Sequence, residues 1–346
     1  MVRIMICTIV PPSIFETISK RGSEQQKAEA LRNLNETAQL RGRRLGFQGL
    51  AGWAAVSPGV LRRTVYDAQN GMQLPGMFTR GEGDPKSRDV AVNEAYDGSG
   101  LTYNFYFQVY DRNSIDGNGM RLDSTVHYRR NFSNAMWNGV QMVYGDGDGD
   151  IFQRFTKSLD VIGHELTHGV TEYEAGLRYS GQPGALNEHF SDVFGSLVKQ
   201  YAKKQNADQA DWLIGAGLFT SKIHGTAIRS MKAPGTAYDD PLIGKDLQPA
   251  HMKDFVDTTD DNGGVHINSG IPNKAFYNLA VALGGHAWEK AGKIWYVTLV
   301  EKVKPGSDFE QCAQMTLETA GALYGAGSKE QKAVRVAWAD VGIEIS

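Results

Sequence analysis

The chain has 346 residues, a formal net charge of −3 and 41% hydrophobic residues, the balance of a globular protein long enough for two domains. No basic field offers itself to nucleic acid, and no apolar run approaches the ~20 residues of a membrane span, so neither partner is expected. The two cysteines, Cys7 and Cys312, lie in different segments and offer no disulfide framework.

The start of the chain, through Pro12, carries one basic residue and a short apolar stretch with no A-x-A site after it. That falls short of a secretion signal, so cytoplasmic synthesis with release by another route is the expectation. Ser13-Ile-Phe-Glu16, after Pro11 and Pro12, reads as a capping box and Gly22 as a helix stop. Ser23-Glu-Gln-Gln26 reads as a second box, opening a helix that carries Leu31, Leu34 and Ala38. Arg41-Gly-Arg-Arg-Leu-Gly46 is basic and glycine-bearing, an exposed connection of the kind proteases cut. Residues 1–50 are thereby set apart from the rest.

Residues 51–150 read as β-rich. Stretches 124–128 and 139–144 have strand composition. In 102–110 the apolar residues run together, so a long strand and a helix both fit. Asp146-Gly-Asp-Gly-Asp150 suggests a calcium loop, but EF-hand spacing needs Gly at 151 and Glu at 157. The chain has Ile151 and Lys157 there, so a Gly/Asp turn is predicted instead. From about 180 onward the pattern is helical, as in 273–284 and 309–324.

His164-Glu165-Leu166-Thr167-His168 carries the most chemistry. On a helix, residues four apart share a face, so both imidazoles can bind one zinc ion. Glu165 then sits beside the metal, where a carboxylate can take a proton from the attacking water. A second helical pattern follows, with Leu186, Phe190, Val193, Phe194, Leu197 and Val198 on its buried face. Glu188 and Asp192 share the other face. Catalytic zinc takes three protein ligands, and Glu188 supplies the third. Asp192 is placed to accept the remaining ring N–H of a ligating histidine, with Asn187 as further support.

These motifs carry a family resemblance. His-Glu-Leu-Thr-His-Gly-Val-Thr at 164–171, Gly-Ala-Leu-Asn-Glu-x-x-Ser-Asp at 184–192 and Asp-Asn-Gly-Gly-Val-His-Ile-Asn-Ser-Gly at 261–270 resemble the thermolysin family of zinc endopeptidases. The likeness extends from about Arg62 to the C-terminus, and the short front segment is most similar to the protealysin-like branch. The resemblance implies an α+β fold: a β-rich domain (51–178) holding the HExxH helix, a mainly helical domain (179–346), a cleft between them, and a small helical prosegment (1–50).

It also implies roles. The prosegment inhibits by lying in the cleft with Pro11 and Pro12 near the site. Cys7 either approaches the zinc as a blocking thiolate or is a small buried thiol. The strand at 139–144 edges the cleft, where a peptide adds as another strand. The Asn134 side chain and the Ala135 backbone, in a motif with Trp137, hold the substrate. The helical alternative is implied for 102–110. Tyr179 and His266, the latter in a glycine turn, aim at the developing oxyanion, and Asp261 orients His266. Arg229 clamps a substrate carbonyl. Phe152, Phe155, Val161, Ile214, Leu218 and Ile228 line an apolar pocket for the residue after the scissile bond, narrowed by Phe155. Well-known members bind a calcium pair. Here Asp160 and Asp211 match two of its acids, but Lys199, Leu213 and Ala216 stand where others belong, so loss of that site is expected, with Lys199 pairing with Asp160 or Asp211.

The expected function is thus a zinc-dependent neutral endopeptidase held latent by its own prosegment. Its expected partners are peptide and protein substrates, and it is expected to be a monomer. A zinc aminopeptidase would need acidic residues for a substrate amine, commonly in a G-x-M-E-N segment, which this chain lacks. A latent, noncatalytic binding protein is the other alternative, against which the intact Glu165, Tyr179 and His266 argue.

Overall fold

The computed structural model describes residues 7–44 and 59–345. Helix α1 (Pro12–Arg21) starts with proline at its first position and Pro11 as N-cap, and no side chain caps it. The capping box read at Ser13 therefore does not form; proline's fixed φ already suits the first turn. Gly22 does end the helix. The second box does form: Gln26 N–H donates to Ser23 Oγ over 3.3 Å, and Ser23 N–H to Gln26 Oε1 over 2.9 Å. Helix α2 (Glu24–Arg44) continues through 41–44, so the connection expected there is helical that far, and its remainder lies outside the described residues.

Of the three apolar residues read on α2, Leu34 alone is partly buried against the core. Leu31 and Ala38 are exposed, and Ala30, Asn33, Glu36 and Thr37 point inward. Hydrogen bonds set this orientation. Asn33 donates to the Asn131 carbonyl over 3.2 Å and accepts from Ser133 N–H over 2.9 Å. The Tyr128 hydroxyl donates to Glu36 over 2.7 Å. Buried polar groups must be paired, and here that need outweighs one leucine's burial.

The β-rich part is a five-stranded sheet of β1 (Arg63–Asp67), β2 (Met77–Gly81), β3 (Leu122–Val126), β4 (Ala135–Trp137) and β5 (Met142–Tyr144), in the order β2-β1-β3-β5-β4. Strands β1, β3 and β5 run parallel, and each end of the sheet adds an antiparallel strand. The edge strand is thus β4, not the 139–144 stretch; within that stretch Gly139 turns at φ +99° and only Met142–Tyr144 pairs. Residues 102–110 belong to α3 (Val90–Tyr110), as the resemblance implied. Asp89 caps it by accepting from the N–H groups of Ala91 and Val92.

Strand β3 stops at Val126 because His127 adopts φ +53°. Its ring lies between two carboxylates, 2.8 Å from Asp146 and 2.9 Å from Asp89. Bonding to Asp146, then to Asp89, outweighs partial burial and lifts His127 to about 9 from an ordinary 6.5. A raised histidine stabilises fully below its unfolded value and loses that contribution as pH rises through its folded value. The expected result is that the Tm gap between wild type and His127→Gln is largest near pH 6 and closes above pH 9, read by thermal melts across that window. A gap that does not change with pH would contradict the pairing.

Two helices dominate the second half. α4 (Leu159–Glu174) and α5 (Gly181–Lys203) run antiparallel, as pairings of Asp160 with Lys199 and of His168 with Asn187 require. They approach closely through glycine. A Cβ on Gly195 would stand 2.4 Å from the Asp160 carbonyl. Strands β6 (Leu213–Ile214) and β7 (Arg229–Ser230) form a short ribbon beside them. Helices α6 (Asp261–Asn268), α7 (Gly270–Leu283), α8 (Ala291–Glu301), α9 (Phe309–Tyr324) and α10 (Lys329–Ala339) complete the fold, α7 and α9 covering most of the two predicted helical stretches. At 146–150 the chain turns as predicted: Asp148 Oδ1 accepts from the N–H groups of 150, 151 and 152.

Candidate metal centre and cleft

His164 and His168 stand one turn apart on α4, fully buried, with their Nε2 atoms 2.9 Å apart. Each Nδ1 faces oxygen. His164 Nδ1 lies 2.8 Å from Asp192 Oδ1, close enough for an ion pair but out of line for a hydrogen bond. His168 Nδ1 lies 2.7 Å from Asn187 Oδ1 and 3.0 Å from Ser191 Oγ. If both Nδ1 atoms carry the proton, both Nε2 atoms present bare lone pairs to one another. Glu188, from α5, stands 3.5 Å from each Nε2, and its Oε2 is buried without a hydrogen-bond partner. Two facing lone pairs and an unsatisfied carboxylate oxygen repel unless a cation lies among them. The N, N, O donor set is that of a catalytic zinc site.

Burial works to raise Glu188, but the positive charges facing it, His266 foremost and Arg229 among them, bring it down to about 2. Burial pulls His168 down to about 3. Asp192 is the hub behind the ligands. Its Oδ1 meets His164 Nδ1 and Arg229 Nη2, and its Oδ2 meets Arg229 Nε and Asn273 Nδ2, each at 2.8 Å. The relay continues outward: Asn273 Oδ1 lies 2.8 Å from His189 Nδ1, and Trp295 Nε1–H donates to His189 Nε2 over 2.7 Å. Neither Ser191 nor this relay stood out in the sequence, because the relay residues lie 81 to 106 positions apart.

Glu165 points toward the sheet. Its Oε2 accepts the Trp137 N–H over 2.9 Å, and its Oε1 is buried and unpartnered. Burial first, and then the Glu188 charge, raise its carboxyl well above the usual range. Trp137 therefore meets the site through its backbone, while its indole packs near Gly169 beneath α4. His266 is buried, with Nδ1 2.6 Å from Asp261 Oδ1. It follows the glycine turn as expected: Asp261, Asn262, Gly263 and Gly264 take left-handed φ of 51°, 54°, 85° and 73°, and α6 is right-handed only after them. The Tyr179 hydroxyl donates to Glu188 Oε1 and lies 3.2 Å from His266 Nε2.

The prosegment occupies the cleft. Ile9 N–H meets the Ala135 carbonyl at 3.4 Å and Val10 N–H donates to Asn134 Oδ1 over 3.1 Å. Arg229 Nη1 donates to the Ile9 carbonyl over 2.9 Å, and His266 Nε2 lies 2.9 Å from the Thr8 carbonyl. Pro11 caps α1, and Pro12 starts it. Phe15 packs on Phe152 with ring centroids 6.1 Å apart. Phe152, Phe155, Val161, Ile214, Leu218 and Ile228 are all buried in the main apolar core, which runs from Ile9 to Ile345 and does not by itself single out a pocket. Farther from the cleft, Lys199 Nζ meets Asp160 at 2.8 Å, Asp211 at 2.7 Å and the Leu213 carbonyl at 2.6 Å, so it pairs with both acids. Ala216 brings no oxygen-bearing side chain to that region.

Comparisons with known proteins agree along the whole chain. "Thermolysin metallopeptidase, catalytic domain" matches residues 61–172, "Thermolysin metallopeptidase, alpha-helical domain" residues 175–343, and "Protealysin propeptide" residues 7–44. An "Extracellular metalloprotease" of Pectobacterium carotovorum subsp. carotovorum is 50% identical, over 98% of this chain and 97% of its own. A "Thermolysin" of Alicyclobacillus acidocaldarius subsp. acidocaldarius is 43% identical over 80% of this chain and 50% of its own. The solved precursor of protealysin from Serratia proteamaculans superimposes with a TM-score of 0.90 at 51% identity, covering 97% of this chain and 99% of that one.

Proposed function

Since the chain belongs to the thermolysin family of metallopeptidases, as a precursor bearing a protealysin-type propeptide, we propose how its residues divide the work of a neutral zinc endopeptidase. His164, His168 and Glu188 hold the metal, supported by their three buried donors converging on one point. Bound there, zinc would supply the Lewis acidity that eases removal of a proton from the attacking water. Glu165 takes the proton of that water at its unpartnered Oε1 and passes it to the leaving amide nitrogen, while the Trp137 N–H fixes its other oxygen. His266, kept protonated at Nδ1 by Asp261, donates from Nε2 to the carbonyl oxygen as charge develops, with Tyr179 alongside. Asp192 and Asn187, with Ser191, fix the tautomers of the two ligating histidines.

Asn134, Ala135 and Arg229 hold the substrate backbone, and the apolar cluster around Phe152 and Ile214 takes a bulky hydrophobic side chain after the scissile bond. The single observation that carries this reading is that residues 8–10 use His266, Ala135, Arg229 and Asn134 in turn. The same contacts make the prosegment an intramolecular inhibitor. We divide the chain into prosegment (1–50), β-rich domain with the HExxH helix (51–178) and helical domain (179–346), acting as a monomer. Action outside the cell fits its relative named as extracellular. Among the described residues no helix is long and apolar enough to cross a membrane.

His266→Ala, in chain freed of its prosegment, is expected to lower kcat about 100-fold with little change in KM. Steady-state kinetics on a quenched peptide checks this, and a change confined to KM would remove His266 from the reaction. In place of a calcium pair, we assign Lys199 as a built-in cation: its ammonium takes three oxygens but cannot coordinate a metal ion. Calcium, or EGTA at a level that spares zinc, is therefore expected to leave the Tm unchanged, and a calcium-dependent rise would reinstate the site.

A further inference from the structure

The backbone contacts of the prosegment fix more than its presence in the cleft. His266 is the donor for the carbonyl under attack, and it lies on the carbonyl of Thr8. Arg229 is the clamp for the next carbonyl, and it lies on that of Ile9. The N–H groups of Ile9 and Val10 meet the edge strand as a substrate's would. The polarity is that of a substrate, the bond under attack corresponds to Thr8–Ile9, and the residue after it is a fully buried, bulky aliphatic. A segment bound this way should be cut.

Cys7 provides the reason that it is not. Its Sγ and one ligand atom each from His168 and Glu188 all lie within 4.8 Å of one another, and all three residues are buried. Glu188 Oε2, beside them, is fully buried and has no hydrogen-bond partner. Zinc with three protein ligands has one further position, which water must occupy for hydrolysis. A thiolate is a ligand that zinc accepts readily, and once bound it excludes that water. Cys7, Tyr179 and Val265 form one small buried cluster.

We propose that residues 7–10 are a substrate mimic with its own lock: the Thr8–Ile9 bond lies in register for hydrolysis, and Cys7 takes the metal position that the attacking water needs. The inference rests on the catalytic reading given above. Unlocked, the step is ordinary hydrolysis. Water adds to the Thr8 carbonyl carbon, the C–N bond breaks, and the products are a Thr8 carboxylate and an Ile9 amine.

Two measurements on the full-length chain test it. The first uses cobalt in place of zinc, in a Glu165→Gln background that prevents self-cutting. The chain with Cys7 is expected to show a near-ultraviolet sulfur-to-cobalt charge-transfer band, which Cys7→Ser abolishes while the visible cobalt bands persist. Visible bands without the charge-transfer band in either chain overturn the lock. The second is intact mass of the first product of zinc-loaded Cys7→Ser with Glu165 intact, expected to be a chain that begins at Ile9, whereas wild type is first cut farther along the segment with Thr8–Ile9 left whole. Suppose Thr8–Ile9 stays whole, yet the same preparation cuts peptide once an added protease has removed its prosegment. The register is then wrong and the catalytic reading stands. If the trimmed preparation cuts nothing, the catalytic reading falls and this inference with it.

Discussion

Glu165→Gln lowers kcat/KM for a hydrophobic peptide by about 10²- to 10⁴-fold while the chain still binds one zinc ion. General acid–base catalysis by one positioned group contributes about that much. The substitution keeps the side chain's shape and its oxygen toward the Trp137 N–H, but removes the basic Oε1. Metal content by atomic absorption and kinetics on prosegment-free chain check the two halves together. Loss of zinc along with activity would instead make Glu165 a ligand. Activity within a few-fold of wild type would assign the proton to another group, and no other unpartnered buried carboxylate oxygen among the described residues lies as near, apart from Glu188 itself.

Asp192→Ala is expected to cost about 3–5 kcal/mol of stability and to weaken zinc binding about 10- to 100-fold. The first figure is that of breaking a buried ion pair, because Arg229 would be left charged and without its carboxylate. The second is the usual effect of removing a ligand's orienting carboxylate. Urea unfolding of the metal-free chain isolates the first, and zinc competition with a chelator the second. Because Asp192 also receives Asn273, the loss should spread outward to His189 and Trp295. A metal-free stability within 1 kcal/mol of wild type would mean that Arg229 finds another partner when Asp192 is absent.

What could be read from the sequence was the local part of the site. His164, Glu165 and His168 declare themselves because helical spacing alone puts two imidazoles on one face, and Glu188 with Asp192 repeats that logic on a second helix. The helices around them were legible from apolar periodicity for the same reason. Partners set by long-range packing were not. Asn273 reaches Asp192 from 81 residues away, and the register of Thr8 against His266 spans 258. The edge strand was assigned one strand too far in because β4 and β5 are three residues each, too short for alternation to speak. On α2 the polar residues Asn33 and Glu36 dock the helix alongside the partly buried Leu34, and such long-range pairings were not legible. The turn before His266 was legible because paired glycines mark left-handed backbone, which four consecutive residues, 261 to 264, adopt.

The most direct test of a zinc endopeptidase held latent by its own first residues is a time course of the zinc-loaded full-length chain, wild type beside Glu165→Ala. It is followed by intact mass and by cleavage of an added peptide. The account predicts that wild type sheds its N-terminal segment and gains peptidase activity as it does so, and that the variant does neither. It is contradicted by equal peptidase activity before and after the segment is lost, or by a zinc-bearing wild-type chain, freed of the segment, that cuts no peptide.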